Sequence, residues 1–265
     1  MGDSMNIVAI IPARMASSRF PGKPMVSICG MPMIGHVYHR SKMCAGLSDV
    51  WVATCDQEIA DYIESIGGKA VMTADTHQRA SDRSAEALLK IEKITGEPID
   101  YVAMIQGDEP MLNPQMIDDL VAPVLQNPNL QVTNLIEMIP SQEDFENANV
   151  VKVVLDQEGF ALYFSREPIP SRKKYAREIP MWKQLGIILF SRKALLDYTQ
   201  MIPTPLEIIE SIDMNRFLEH GIKIKMISTI HKSFGVDVPS DINIVEPLLL
   251  KDALISKYLP GMNET

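Results

Sequence analysis

Ile7-Val8-Ala9-Ile10-Ile11-Pro12-Ala13-Arg14-Met15-Ala16-Ser17-Ser18-Arg19-Phe20-Pro21-Gly22-Lys23-Pro24 decides the fold of this chain. The run Ile7–Ile11 is apolar without a break, the pattern of a strand buried in a parallel sheet. Directly after it, Arg14, Arg19 and Lys23 fall in a turn punctuated by Pro12, Pro21, Gly22 and Pro24. Cations on a tight loop beyond a first strand make a place to hold a polyphosphate: Arg and Lys neutralise phosphate oxygens, and Gly and Pro bend the backbone around them. The spacing G-x-x-x-x-G-K-[ST] is absent, so the loop is not a P-loop. The plainer alternative is an exposed turn with ordinary charges.

Downstream of that loop, helix-like and strand-like segments alternate. Periodicity predicts a helix from Met33 to about Cys44, a strand at Val50–Ala53 and a helix to about Ser65 that Asp56 caps. A short strand at Ala70–Met72, a helix over Ser81–Ile94 and an apolar strand at Tyr101–Ile105 follow. This order predicts an α/β fold of Rossmann-like, doubly wound type, with a mostly parallel sheet and a ligand crevice beyond the carboxyl ends of its strands. The middle reads differently. Val150–Leu155, the turn Asp156-Gln157-Glu158-Gly159 and Phe160–Phe164 form a β-hairpin pattern, and Ser171–Arg177 is a charged loop. Leu185–Phe190 reads as a strand, Ala194–Gln200 and Leu206–Glu219 as helices, Ile222–Ile227 as a last strand, with a helix from Ser240.

The 265 residues are 46% apolar, enough for a real core. A formal charge of −9 disfavours partners such as nucleic acid or an anionic membrane, and it makes the cationic loop a local feature. Cys29, Cys44 and Cys55 contain no Cys-x-x-Cys pair and read as reduced thiols. No apolar run approaches a bilayer span, and no apolar signal core is visible, so a cytoplasmic protein is expected.

Gln106-Gly107-Asp108-Glu109-Pro110 follows the strand Tyr101–Ile105. A carboxylate at the end of a central parallel strand is well placed to hold Mg²⁺ in the crevice; the alternative is a capping residue in a strand-to-helix turn. Gly235-Val236-Asp237-Val238-Pro239 offers a second such carboxylate, with an N-cap or turn aspartate as its alternative. Two carboxylates that reach one Mg²⁺ beside a cluster of cations make a nucleotidyl-transfer site. His36 and His39 are spaced for a metal, but no third ligand is near, and packing is the favoured reading.

These elements, in this order, resemble the nucleotide-sugar cytidylyltransferases, and within them the members that activate 2-keto-3-deoxy sugar acids such as Kdo for lipopolysaccharide biosynthesis. Supporting stretches are Pro32-Met33-Ile34-Gly35-His36-Val37-Tyr38, Asn149-Val150-Val151-Lys152-Val153-Val154, Tyr163-Phe164-Ser165-Arg166 and Gly235-Val236-Asp237. The resemblance covers about residues 6–247. It implies a single nucleotidyltransferase domain over 1–265 with a smaller, hairpin-containing insertion near 145–220 for sugar binding and homodimerisation. It implies transfer of CMP from CTP, with Mg²⁺, to the anomeric hydroxyl of a sugar acid, with Arg14, Lys23, Asp108 and Asp237 catalytic and the two aspartates on the metal. Ala13, Arg14, Ser18, Arg19, Lys23, Thr73, Arg79, Ser81, Arg83 and Gln106 would bind the nucleotide. Gln106, Tyr163, Arg166, Gln184, Ile188, Asp213 and Met214 would face the sugar. Arg166 suits a carboxylate, with a structural ion pair as its alternative.

Departures from the family cluster on the sugar side. Its usual His-Ile-Gly-Ile-Tyr reads Gln184-Leu185-Gly186-Ile187-Ile188 here, and its Glu-Gln reads Asp213-Met214. Such changes point to a different acceptor, an amino-sugar analogue, a nonulosonate or another acid, because losing one hydrogen-bonding side chain can shift discrimination by orders of magnitude. A different class of alternative is a nucleotide-binding regulatory protein without turnover.

Overall fold

In the computed structural model, residues 5–17, 20–173 and 179–259 are described. The elements begin with β1 (Ile7–Ala13), β2 (Ser27–Ile28), β3 (Met31–Pro32), α1 (Met33–Lys42) and β4 (Asp49–Thr54). Then come α2 (Gln57–Ser65), β5 (Ala70–Met72), α3 (Ala80–Thr95), β6 (Tyr101–Ile105), α4 (Pro114–Gln126) and β7 (Val132–Met138). After them run α5 (Gln142–Glu146), β8 (Lys152–Leu155), β9 (Ala161–Ser165) and β10 (Trp182–Ser191). The series closes with α6 (Arg192–Gln200), α7 (Pro205–Glu210), α8 (Met214–Glu219), β11 (Ile224–Ser228) and α9 (Ile242–Leu250). The chain divides into two compact units, Met1–Asp118 with Ser233–Thr265, and Asp119–Lys232.

The first unit is built on parallel strands in the order β6-β1-β4-β5. Every residue of β1 and of β6 is buried, as unbroken apolar runs require. Because the strands run parallel, the segments that leave β1, β4, β5 and β6 at their carboxyl ends leave from one edge of the sheet. The chain proceeds from β1 to β4 and β5 on one side, then crosses to β6 on the other, so the order reverses at β1 and β6. That reversal is where doubly wound sheets bind ligands. The chain's last stretch packs on this unit through Val236, Val245, Leu249 and Ile255, which meet Ile28 and Met33. No helix among the described residues is long and apolar enough to cross a membrane.

In the second unit β7 pairs in parallel with β11 and antiparallel with β10. The predicted hairpin is present as β8 and β9, and β8 also pairs with β10. Several expectations change: the strand expected from Val150 starts at Lys152, that over Leu185–Phe190 runs over Trp182–Ser191, and that over Ile222–Ile227 runs over Ile224–Ser228. The helix expected over Leu206–Glu219 is two helices, because Ser211 takes a left-handed φ of 53° and ends α7. The helix expected from Ser240 starts at Ile242, after a 3-10 turn over Pro239–Asp241.

Candidate active site

The cationic loop is fastened at both ends. Gly22 takes φ 73°, a conformation that favours glycine, and its N–H donates to the Met15 carbonyl at 2.9 Å. The Met15 N–H donates to Asp56 Oδ2 at 2.8 Å. Asp56 does stand at the N-cap of α2, but its side chain makes no cap bond and serves the loop instead. Past the loop, a 3-10 turn over Lys23–Met25 aims the Lys23 side chain inward.

Lys23 Nζ donates to Asp108 Oδ2 at 2.6 Å and to the Val236 carbonyl at 2.9 Å, and lies 3.7 Å from Asp237 Oδ1. Three segments far apart in sequence thus meet at one ammonium. Gly107 makes the approach possible: a Cβ there would lie 3.1 Å from the Pro12 carbonyl oxygen and 3.2 Å from Ile34 Cδ1. The Val236 N–H donates to the Asp108 carbonyl at 2.9 Å, tying the two carboxylate-bearing loops together. Asp241 Oδ2 accepts from the N–H groups of Asp237 and Val238 at 2.7 and 3.0 Å, so Asp241 holds this turn. Asp237 is 52% exposed, Asp108 31% and Lys23 14%, so the ion pair faces solvent from the carboxylate side.

A cavity of about 330 Å³ opens beside these groups, with Ala13, Arg14, Lys23, Arg79, Arg83, Gln106 and Asp108 on its walls. Arg83 is buried; Nη1 donates to Thr73 Oγ1, while Nη2 has no hydrogen-bond partner among the described residues. A buried guanidinium donor without an acceptor is costly, and a ligand oxygen or ring nitrogen would satisfy it. Thr73, just after β5, and Ser81, in the first turn of α3, are buried as well. Glu86, which the sequence did not single out, organises the segment between them. It accepts from the Ala74 N–H at 2.9 Å and from Lys90 Nζ at 2.7 Å, and it bonds His77 Nε2. Burial works to raise the Glu86 pKa, but the bonds from Lys90, Ala74 and His77 outweigh it and hold the carboxyl down at about 2. Arg14 Nη1 meets the His77 carbonyl at 3.4 Å. Ser18 and Arg19 lie outside the described residues, as do Lys174 and Arg177 of the charged loop.

In the second unit the polar groups named from the sequence are tied to protein partners. Arg166 donates to three carbonyls: Nε to Glu210 at 2.7 Å, Nη1 to Ala148 at 3.0 Å and Nη2 to Ser211 at 3.3 Å. Glu210, also missed in the sequence, accepts from Tyr163 Oη, Ser165 Oγ and the Arg166 N–H at 2.7, 2.7 and 2.8 Å. Burial, then the bond to Glu210, pushes the Tyr163 hydroxyl up to about 12. Lys152 is buried, with its ammonium on the carbonyls of Asn147, Val150 and Arg166. Gln184 Nε2 donates to Asn134 Oδ1 at 2.7 Å, and Asn134 Nδ2 donates to the Leu185 and Ile187 carbonyls across an irregularity in β10. Ile188 and Met214 are core residues, 4% and 1% exposed, and Asp213 precedes α8.

His36 and His39 follow the packing reading. His36 is buried, and its Nε2 donates to the Ile28 carbonyl at 2.8 Å, which leaves Nδ1 to accept from the Tyr258 hydroxyl at 2.9 Å. Burial is the main cause that lowers its pKa to about 4. His39 stacks on the Tyr258 ring.

Comparison with known proteins adds a second line of observation. The family described as cytidylyltransferase matches residues 8–224. The 3-deoxy-manno-octulosonate cytidylyltransferase of Geobacter metallireducens is 41% identical over 255 residues, 92% of this chain and 98% of that protein. The protein of the same name from Geobacter sulfurreducens is 41% identical over 251 residues, 91% of this chain and 98% of its own. A solved structure of CMP:2-keto-3-deoxy-manno-octonic acid synthetase in complex with CTP matches with a TM-score of 0.86 at 36% identity, covering 93% of this chain and 99% of that one. The 4-diphosphocytidyl-2C-methyl-D-erythritol synthase of Anaerococcus prevotii, at 13% identity and a TM-score of 0.62 over 93% and 99% of the two chains, shares the fold.

Proposed function

The chain belongs to the cytidylyltransferase family, and from that premise we propose that it transfers CMP from CTP to the anomeric hydroxyl of 3-deoxy-manno-octulosonate, releasing pyrophosphate. The names of the relatives and of the CTP-bound structure support the substrates. The observation that carries the reading is the meeting of Lys23 with Asp108 and Asp237 beside the cavity that Arg14, Arg79 and Arg83 line.

Arg14, Lys23 and Arg79 neutralise the triphosphate, and they stabilise the charge that grows on the leaving pyrophosphate. Arg83, with one buried donor unspent, reads an acceptor on the base; cytosine presents O2 and N3 as acceptors, whereas uracil presents an N3–H. No covalent intermediate is required, since alignment of the attacking hydroxyl with the α-phosphorus supplies much of the acceleration. Mg²⁺ fits the donors present. Two carboxylates already address a single cation, the Lys23 ammonium, and carboxylate oxygens are the ligands a hard divalent ion prefers. Asp108 and Asp237 would hold it. Bound there, the ion would supply charge neutralisation at phosphate oxygens and lower the pKa of a nearby hydroxyl.

The same reading includes a homodimer and a cytoplasmic reaction. Leu206, Ile208 and Ile209 of α7, with Ile202 before it, are exposed, whereas Glu207 of the same helix is fully buried. A helix that turns its carboxylate inward and its aliphatic residues outward suits contact with a second copy.

The test is pyrophosphate release from CTP with Mg²⁺ and 3-deoxy-manno-octulosonate, run beside its amino-sugar analogue and a nonulosonate. Release with the first acid is the expected result. Release with another acid alone would reassign the acceptor. Binding of CTP without release for any acid would overturn the enzymatic reading.

A further inference from the structure

Lys23 does not wait for a phosphate with an idle ammonium. Two of its three N–H donors are committed, to Asp108 Oδ2 at 2.6 Å and the Val236 carbonyl at 2.9 Å, and Asp237 Oδ1 lies 3.7 Å away as a second counter-charge. Those two carboxylates are the pair that would hold the divalent ion, so the ammonium and the ion compete for the same oxygens. The ammonium end is 14% exposed, so salt screens it less than a surface charge, while the two carboxylates open to solvent. Arg14, by contrast, contacts the His77 carbonyl and makes no contact with either carboxylate among the bonds described.

We propose that Lys23 is the specificity-determining residue that makes the Asp108–Asp237 pair refuse a free divalent cation and accept a metal–nucleotide complex. The inference rests on the cytidylyltransferase reading. An ion that arrives alone must displace the ammonium from Asp108 and leave it with one carbonyl and no counter-charge. An ion that arrives on a triphosphate brings phosphate oxygens that give Lys23 a new anionic partner. The exchange conserves the number of ion pairs only in the second case. Metal and nucleotide affinities are then coupled, and by linkage each raises the other by the same factor.

The experiment measures Mn²⁺ binding by electron paramagnetic resonance, without nucleotide and with CTP, for the wild type, Lys23→Gln, Lys23→Met and Arg14→Gln. Thermal melts check that each variant folds. Both neutral Lys23 variants are expected to bind free Mn²⁺ at least tenfold more tightly than the wild type. Arg14→Gln, which removes a nearby charge but no carboxylate contact, is expected to change it by less than threefold. The gain in Mn²⁺ affinity on adding CTP is expected in the wild type and much reduced in both Lys23 variants. Equal free-ion affinity in wild type and Lys23 variants would overturn the proposal, as would an Arg14→Gln effect of the same size. A wild type that takes up Mn²⁺ with CTP but shows no Lys23 effect sinks this inference alone; one that takes up neither ion nor CTP sinks the functional reading as well.

Discussion

Charged side chains around the first unit's cavity and a set of charged side chains in the second unit are treated in opposite ways. In the second unit Lys152, Arg166, Glu207, Glu210 and Arg216 are each bound to protein partners. Lys152 and Arg166 each reach three carbonyls, Glu210 collects three donors, and Arg216 grips both Glu207 oxygens at 2.6 Å over the Tyr198 ring. In the first unit the charged groups around the cavity keep capacity in reserve: Arg83 has a buried donor with no partner among the described residues, and the Lys23 pair is exposed on its carboxylate side. Saturated networks fix a shape, since a half-satisfied buried charge costs several kcal/mol. On the proposed reading, Arg83 Nη2 on the cavity wall is where a ligand completes the hydrogen bonding. On that reading the cavity groups exchange partners when the nucleotide binds, while these second-unit side chains hold a shape.

That contrast is open to being broken. On the proposed reading Asp108→Ala lowers kcat for pyrophosphate release by about 10³-fold or more, because it removes half of the carboxylate pair. Its urea midpoint should stay near the wild type, since Lys23 retains the Val236 carbonyl and Asp237. Normal turnover in that variant would end the assignment of Asp108.

The sharpest comparison sets one arginine against another. Arg216→Met should cost about 3–5 kcal/mol in urea denaturation, because it strands the fully buried Glu207 carboxylate. Arg83→Met should act mainly on nucleotide affinity, raising the Kd for CTP by roughly 10- to 100-fold through one lost charge-assisted bond. If the two variants behaved alike, the distinction between a fixed unit and a ligand-ready one would fall.

The smallest effect is a pH dependence around the cavity. Glu86 ionises at about 2 in the folded chain against an ordinary 4.5. A lowered carboxyl pKa stabilises the fold fully above the unfolded value, and that stability is lost as the pH falls from about 4.5 toward 2. Allowing for solvent screening of a side chain that is 25% exposed, about 1 kcal/mol is expected. Urea titrations at about pH 5 and pH 3 should show this extra loss in the wild type and not in Glu86→Gln. Parallel losses in both proteins would remove the role given to Glu86.

Much of the first unit was legible from periodicity. Tyr101–Ile105 and Ala70–Met72 are strands with the bounds the pattern predicts, and the helix from Met33 ends within two residues of expectation. Their apolar runs and Gly or Pro boundaries carry the signal locally. β7 gave no such signal, because Thr133 and Asn134 are polar yet fully buried, satisfied by the Leu120, Leu185 and Ile187 carbonyls. α4 was missed as well; Pro123 sits inside it and reads as a breaker. Asp56 looked like a helix cap, and only the approach of Met15 revealed its other use. Nothing in the local pattern around Glu86 and Glu210 marks their roles.

The amino-acid sequence by itself determined that a cationic turn follows a buried first strand, that a glycine-aspartate turn follows another, and that a family's motifs run through the chain in order. Which charges those turns share was decided only by the tertiary structure. Lys23 and Val236 are 213 positions apart, and nothing periodic or local encodes a bond over that distance. Packing of parallel strands brings their carboxyl ends to one edge. Whether an arginine there is satisfied or left wanting depends on every atom that arrives around it.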